Sequence, residues 1–292
     1  MTSGQKPAAD HETKKPLTNK KLSAQGDRYV DLLMGCLTRE LFLAEETHDV
    51  DLSEWPGNSD ELRSVLKANG WHLTKQGGEP EARAEGHDWP PTAETMVGRQ
   101  RLADVRRCVD QVMAEDVPGD FIETGVWRGG VTILMKGMLE AWEDTRRRVW
   151  VADSFSGLPV PNVETYPADE GHDMSDVKAL HVTADEVRAN FDRYGLLDER
   201  VCFLEGWFAD TLATAPIEQL AILRLDGDLY ESTTDALTAL YPKLSVGGYV
   251  LVDDYGAWEP CRAAVDDYRA AHKITDEIVH VDWTGVHWQR ST

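Results

Sequence analysis

Three carboxylates carry the strongest chemical signal in this sequence. Asp226 closes the short apolar run Ala221-Ile222-Leu223-Arg224-Leu225, and Asp253-Asp254 close a second run, Gly248-Tyr249-Val250-Leu251-Val252. Each run is too short for a helix, ends at a turn signal and reads as a buried parallel strand. Acids at strand carboxyl ends stand on the edge where open α/β sheets bind ligands. Three acids on one edge suit a hard cation such as Mg2+, which takes one or two carboxylates and completes its octahedron with substrate oxygens and water. Neighbouring side chains on a strand point to opposite faces, so Asp253 and Asp254 act together only where the strand gives way to the Tyr255-Gly256 loop. A solvated edge or a helix cap accounts for any one of the three taken singly. Asp228 stays ambiguous, either capping the next helix or facing the substrate.

A second group of residues suits an organic cofactor. Glu123-Thr124-Gly125-Val126-Trp127-Arg128-Gly129-Gly130 is a glycine-rich turn from a strand into a helix, where missing side chains let backbone approach a ligand. Its glycine spacing is not that of the dinucleotide fingerprint, and it lacks the lysine of a phosphate-gripping loop. An acid just before the turn suits a ligand with an amino or cationic group. Asp153, in Ala152-Asp153-Ser154-Phe155, ends the next strand and is placed to accept from ribose hydroxyls. Together these describe a nucleoside-type cofactor lying across two strands. Gly206-Trp207, after a third strand, offers a flat surface for an adenine, although a core tryptophan accounts for Trp207 equally well. His172, His181, His280 and His287 have no Ser or Cys partner at recognisable spacing, so a hydrolytic triad is unsupported.

These residues need a sheet to position them, and the chain supplies one. From Pro118-Gly119 onward, strands expected at 120–124, 149–153, 201–205, 220–226 and 249–253 alternate with helices at 130–142, 183–194, 231–241 and 258–272. Such alternation implies a mostly parallel sheet with right-handed crossovers. The end differs: 277–281 and 285–289, joined by Asp282-Trp283-Thr284, read as an antiparallel hairpin. Upstream, residues 1–24 are polar and read as a disordered tail. Helices are expected at 27–45 and 93–115, the latter burying Leu102, Val105, Val109, Val112 and Met113. Between them, 48–86 reads as an accessory insertion, with one short helix capped by Asn58 and stopped at Gly70 and exposed loop from Gly77 on. The loop from Pro159 to Asp176 is placed to act as a lid.

Composition bounds the function. The 292 residues carry a formal charge of −22, which argues against nucleic acid as a partner. Four scattered cysteines without a Cys-x-x-Cys pair fit reduced thiols. There is no secretory h-region and no long apolar run, so a soluble, cytoplasmic protein without membrane contact is expected.

At these motifs the sequence resembles the macrocin O-methyltransferase family, metal-dependent sugar O-methyltransferases of antibiotic pathways. The resemblance rests on Thr95-Met96-Val97-Gly98, "DFIETGVWRGGVTILMKGML", "VWVADSFSGLP", "FLEGWFADTL", "LRLDGDLYEST" and "YPKLSVGGYVLVDDYGAW", together with "RYVDLLMGCLTREL" and the ending "TDEIVHVDWTGVHWQR". They occur in order over 27–46 and 87–292. The resemblance implies a class I methyltransferase fold, α/β and Rossmann-like, with a mostly parallel seven-stranded sheet, an antiparallel closing hairpin and N-terminal helices. The catalytic domain would span 116–292, and 25–115 would be a helical accessory region.

The resemblance also implies S-adenosylmethionine and Mg2+ as cofactors. Glu123 and Gly125 fall at the methionine end, Asp153 at the ribose, and Gly206 and Trp207 near the adenine, with Trp127, Gly129 and Ser154 also among the cofactor-binding residues. Met96 and Val97 would border the cofactor and acceptor pocket. Asp226, Asp253 and Asp254 fall on the metal ligands, with Asp226 also at the cofactor and the candidate base. The implied reaction methylates one hydroxyl of a vicinal diol on the deoxysugar of a glycoside, and the implied assembly is a homodimer. The insertion at 48–86 exceeds what compact members carry, in a part that shapes acceptor recognition in this family. Rival readings are a catechol methyltransferase on the same fold, a nicotinamide-dependent oxidoreductase and a non-catalytic scaffold.

Overall fold

A computed structural model describes residues 20–54 and 57–292; most of the tail expected at 1–24 lies outside the described residues. The chain first forms α1 (Ala24–Leu37), whose N-cap Ser23 accepts from the Gly26 amide at 3.0 Å. The helix expected at 27–45 does not run through. Arg39 takes a left-handed backbone (φ 59°), which breaks the ladder, and a 3-10 turn follows at Glu40–Glu45.

The insertion holds β1 (Thr47–Asp49), α2 (Ser59–Asn69), β2 (Thr74–Gln76) and α3 (Pro80–Glu85), with β1 and β2 paired antiparallel. Asn58 and left-handed Gly70 bound α2 as the sequence indicates. The short strands were not foreseen, and the expected loop after Gly77 contains α3. The reason is Arg83, whose buried guanidinium binds Glu46 at 2.7 Å, Asp88 and the Thr38 carbonyl. That ion pair pins the insertion to the turn after α1.

The helix α4 (Arg99–Ala114) begins six residues later than expected, because 93–98 are irregular and Gly98, in extended backbone, is its N-cap. All five residues predicted for its buried face are buried, and Arg101 lies among them. The catalytic layer then alternates: β3 (Asp120–Thr124), α5 (Gly130–Ala141), β4 (Val149–Asp153), α6 (Ala184–Arg193), β5 (Val201–Glu205), α7 (Phe208–Thr211), β6 (Leu220–Leu225), α8 (Tyr230–Leu240), β7 (Leu244–Val252), α9 (Glu259–His272), and the hairpin β8 (Val279–His280) and β9 (Val286–Gln289).

The sheet order is β5-β4-β3-β6-β7-β9-β8, parallel from β5 to β7 and antiparallel at β9 and β8. Seven strands and the closing hairpin match the expectation. Alternate residues supply two cores: Phe121, Val149 and Val151 pack under α1, α4 and α5, while Ile122, Trp150 and Ala152 pack under α8 and α9. From β3 the chain winds outward through β4 and β5, then returns to the other side at β6. The switch point therefore lies between β3 and β6, and their carboxyl ends open a crevice. At Gly125 (φ 84°) a β-carbon would sit 1.7 Å from the Asp226 carbonyl, so only glycine brings the two strand ends this close.

Candidate active site

A cavity of about 610 Å³ opens at this crevice. Of the residues singled out in the sequence, Met96, Val97, Glu123, Gly125, Trp127, Asp153, Ser154, Trp207, Asp226, Asp253 and Asp254 line it, as does Asp228. Gly129 and Gly206 do not. Gly129 is the left-handed N-cap of α5, and the Gly206 amide donates to the Asp153 carbonyl at 2.9 Å. Both shape the turns behind the wall.

The acids meet as their strand positions require. One oxygen from each of Asp226, Asp253 and Asp254 lies within 4.8 Å of the others. The ladder carries them there, since the Asp226 amide donates to Thr124 and the Asp253 amide to Leu225, both at 2.9 Å. Asp254 turns toward the cavity where the strand ends, and its Oδ2 accepts from the Asp228 amide at 3.2 Å.

Two arginines organise this cluster, and the sequence reading gave neither a role. Buried Arg224 binds Glu123, Asp253 and Asp226, the last at 2.8 Å. Arg101 binds Asp253 and, at 2.9 Å, Asp282 of the hairpin turn. Both were visible in principle: Arg224 interrupts an apolar strand and Arg101 sits on the apolar face of α4. Charged residues in such places are buried only with partners. Glu123 thus turns one oxygen to Arg224, while its buried Oε2 makes no hydrogen bond within 3.5 Å among the described residues.

Charge is out of balance here. Among the described residues, the acids Glu123, Asp226, Asp228, Asp253, Asp254 and Asp282 are met by two arginines, Arg101 and Arg224. Burial first, then Asp253, pushes Asp226 up to about 6. Burial followed by Asp226 pushes Asp228 up to about 8, and burial pushes Glu123 up to about 8 against the pull of Arg224. Asp254 is raised as well, by burial and then by Asp228. A hard cation among the three oxygens would offset this repulsion, so the donor set fits one.

Asp153 caps the glycine turn: its oxygens accept from the Val126 amide at 2.7 Å and the Phe155 amide at 2.8 Å. A carboxylate oxygen accepts more than one bond, so this use is compatible with a ligand hydroxyl. The Trp127 indole donates to the Ala179 carbonyl at 2.8 Å, and the Arg128 guanidinium stacks over its ring at 4.1 Å. Pro159, Val160, Asn162 and Met174 of the 159–176 loop line the cavity. That loop is tied down by fully buried Asp169, which accepts from the first amides of α8, Tyr230 at 2.6 Å and Glu231 at 3.2 Å. His87, Trp89, Trp258 and Trp283 also line the cavity, four rings for which the sequence indicates no role at the site.

An open sheet closed by an antiparallel hairpin, with acids and a glycine turn at its switch point, defines a class I methyltransferase fold. The structure is similar to that of the O-methyltransferase NovP, 46% identical, with a TM-score of 0.80 over 91% of this chain and 100% of that one. The macrocin O-methyltransferase (TylF) family model matches residues 26–290. Demethyldecarbamoylnovobiocin O-methyltransferase of Streptomyces niveus is 56% identical over 72% of this chain and 81% of its own. The 8-demethyl-8-(2,3-dimethoxy-alpha-L-rhamnosyl)-tetracenomycin-C 4'-O-methyltransferase of Streptomyces olivaceus is 54% identical over 73% of this chain and 83% of its own. The chain belongs to the macrocin O-methyltransferase family. It is an O-methyltransferase with S-adenosylmethionine as methyl donor.

Proposed function

We propose that this chain methylates a hydroxyl of a deoxysugar on a natural-product glycoside, with Mg2+ held by Asp226, Asp253 and Asp254. The observation that carries the reading is one cavity containing both the acid cluster and the Glu123, Gly125 and Asp153 wall. A relative named for a rhamnosyl-bearing tetracenomycin supports a sugar as acceptor.

S-Adenosylmethionine supplies an electrophilic methyl group, and Glu123 with Gly125 would receive its methionine end, Asp153 and Ser154 its ribose, and Trp207 its adenine. Met96 and Val97 would separate it from the acceptor. Mg2+ supplies the positive charge that acidifies and aims a vicinal pair of hydroxyls. The effect is smaller than the fall to about 7 known for zinc-bound water, yet alcohols are so weakly acidic that a few units matter. Arg224 and Arg101 fix the direction of Asp253, and Arg224 fixes that of Asp226.

Two acids are candidates for the proton. The sequence reading gives it to Asp226, but that carboxylate already serves Arg224 and the metal. Asp228 lines the cavity, among the described residues no arginine is hydrogen-bonded to it, and it does not cap the helix that follows, whose N-cap is Leu229. We therefore assign proton acceptance to Asp228 and metal binding to Asp226. Holding both reactants in attack geometry contributes up to about 7–11 kcal/mol, so positioning carries most of the rate.

Among the described residues no helix is long and apolar enough to cross a membrane, which supports a cytoplasmic enzyme. Tyr29, Leu32, Leu41 and Phe42 are exposed apolar residues on and just after α1, which supports a homodimer through that face. The test is transfer of labelled methyl from S-adenosylmethionine to a panel of demethylated glycosides, with and without EDTA. EDTA-sensitive labelling of a sugar oxygen is expected. Labelling only of catechols, or labelling indifferent to EDTA, would overturn the reading.

A further inference from the structure

Four aromatic side chains, His87, Trp89, Trp258 and Trp283, line the cavity, and of these Trp283 is both exposed and held. Trp283 is 46% exposed and Trp89 49% exposed, at the mouth of the cavity rather than on the far surface. A loose surface tryptophan would need no fixing, but Trp283 has several supports. Its indole donates to the Glu85 carbonyl at 2.9 Å, and its ring stacks on His87 at 4.5 Å and 22°. Its turn is locked by Asp282, which accepts from the Thr284 and Gly285 amides and binds Arg101. Thr284 in turn donates to the Asp253 carbonyl at 2.8 Å, so the platform and the acid cluster share one rigid frame. Rigid aromatic faces give contact area at low entropic cost, which is what a ligand platform requires.

Resting on the glycoside-methylating reading above, we propose that the His87–Trp283 stack, with Trp89 and Trp258, grips the aglycone and thereby selects glycosides whose aglycone is flat and aromatic. The sugar reaches inward to the acids while the aglycone lies across the rings at the mouth. The end of the accessory segment thus contributes to acceptor choice through Glu85 and His87.

The test is equilibrium binding to the full chain, in the presence of S-adenosylhomocysteine and Mg2+, of two probes with the same sugar: 2-naphthyl and methyl α-L-rhamnopyranoside. The wild type is expected to bind the naphthyl glycoside at least about tenfold tighter. Trp283→Ala should collapse that ratio, while Trp283→Phe should restore most of it and His87→Phe should preserve it. A wild type without naphthyl preference, or a Trp283→Ala variant that keeps the preference, would overturn the platform. Because binding is read without turnover, this failure is distinct from failure of methyl transfer to any glycoside, which would sink the glycoside reading itself.

Discussion

The two walls of the cavity are built in different ways. The cofactor wall comes from consecutive strand ends, β3, β4 and β5, each delivering one or two residues at a turn. The acceptor wall is gathered from residues 86–97, the 159–176 loop, the start of α9 and the hairpin turn, separated by up to two hundred positions. The first wall follows from the fold, because strand ends and a glycine turn bring its residues together, with Arg224 holding Glu123. The second exists only through tertiary ties such as Trp283 to Glu85 and Asp169 to α8. On the proposed function, the chemistry common to methyl transfer would sit on the strand-end wall and acceptor choice on the assembled one.

Arg224 ties Glu123 of the first wall to the acids Asp226 and Asp253, and its removal should have the largest effect. Replacing it by Met strands Glu123, Asp226 and Asp253 without their shared partner, costing about 3–5 kcal/mol in urea unfolding. A loss under 1 kcal/mol would show the acids to be neutralised some other way. Gly125→Ala should follow, at about 2–4 kcal/mol, since its β-carbon meets the Asp226 carbonyl and φ is positive. Cofactor affinity should fall with it; unchanged binding would detach the turn from the cofactor wall.

A third effect is set by pH. Glu123 and Asp228 are raised to about 8 and Asp226 to about 6. The metal-free folded protein thus keeps protons that the unfolded chain releases above about pH 4. Its stability should fall as pH rises from about 4 to about 8. Mg2+ should flatten that fall and bind more tightly with rising pH, releasing protons as it does. Thermal melts with and without Mg2+ check this, and identical pH profiles in the two would contradict the cation site. The smallest effect belongs to the insertion's outer helix. Among the described residues α2 buries none of its side chains, so Val65→Ser should change stability by no more than about 0.5 kcal/mol and leave turnover unaltered.

The strand ends and the glycine turn that form the proposed cofactor wall were legible in the sequence. Acid after apolar run, glycine after acid and alternation of strand with helix are local patterns, and the sheet converts them directly into a place in space. Arg224 and Arg101 were legible only as anomalies, charges where the period demanded apolar residues, and nothing local said which acids they meet. The break at Arg39 was invisible, because the apolar period carries on past it to Leu41. Arg83 could not be read either: its partners Glu46 and Thr38 lie about forty residues away, and a charged stretch with two glycines looks like any exposed loop. The aromatic wall was illegible because His87, Trp258 and Trp283 become neighbours only when the hairpin turn meets the end of the accessory segment.

The central claim is that Asp226 serves the cation while Asp228 takes the proton. Its most direct test is the Mg2+ dependence of methyl transfer to a glycoside by Asp226→Asn and Asp228→Asn, each against the wild type. The account predicts that Asp226→Asn needs much more Mg2+ for half-maximal rate. It predicts that Asp228→Asn keeps the wild-type Mg2+ requirement and loses about 10²-fold or more in kcat, the scale of a missing general base. An Asp228→Asn enzyme with wild-type kcat, or an Asp226→Asn enzyme with an unaltered Mg2+ requirement, would contradict it.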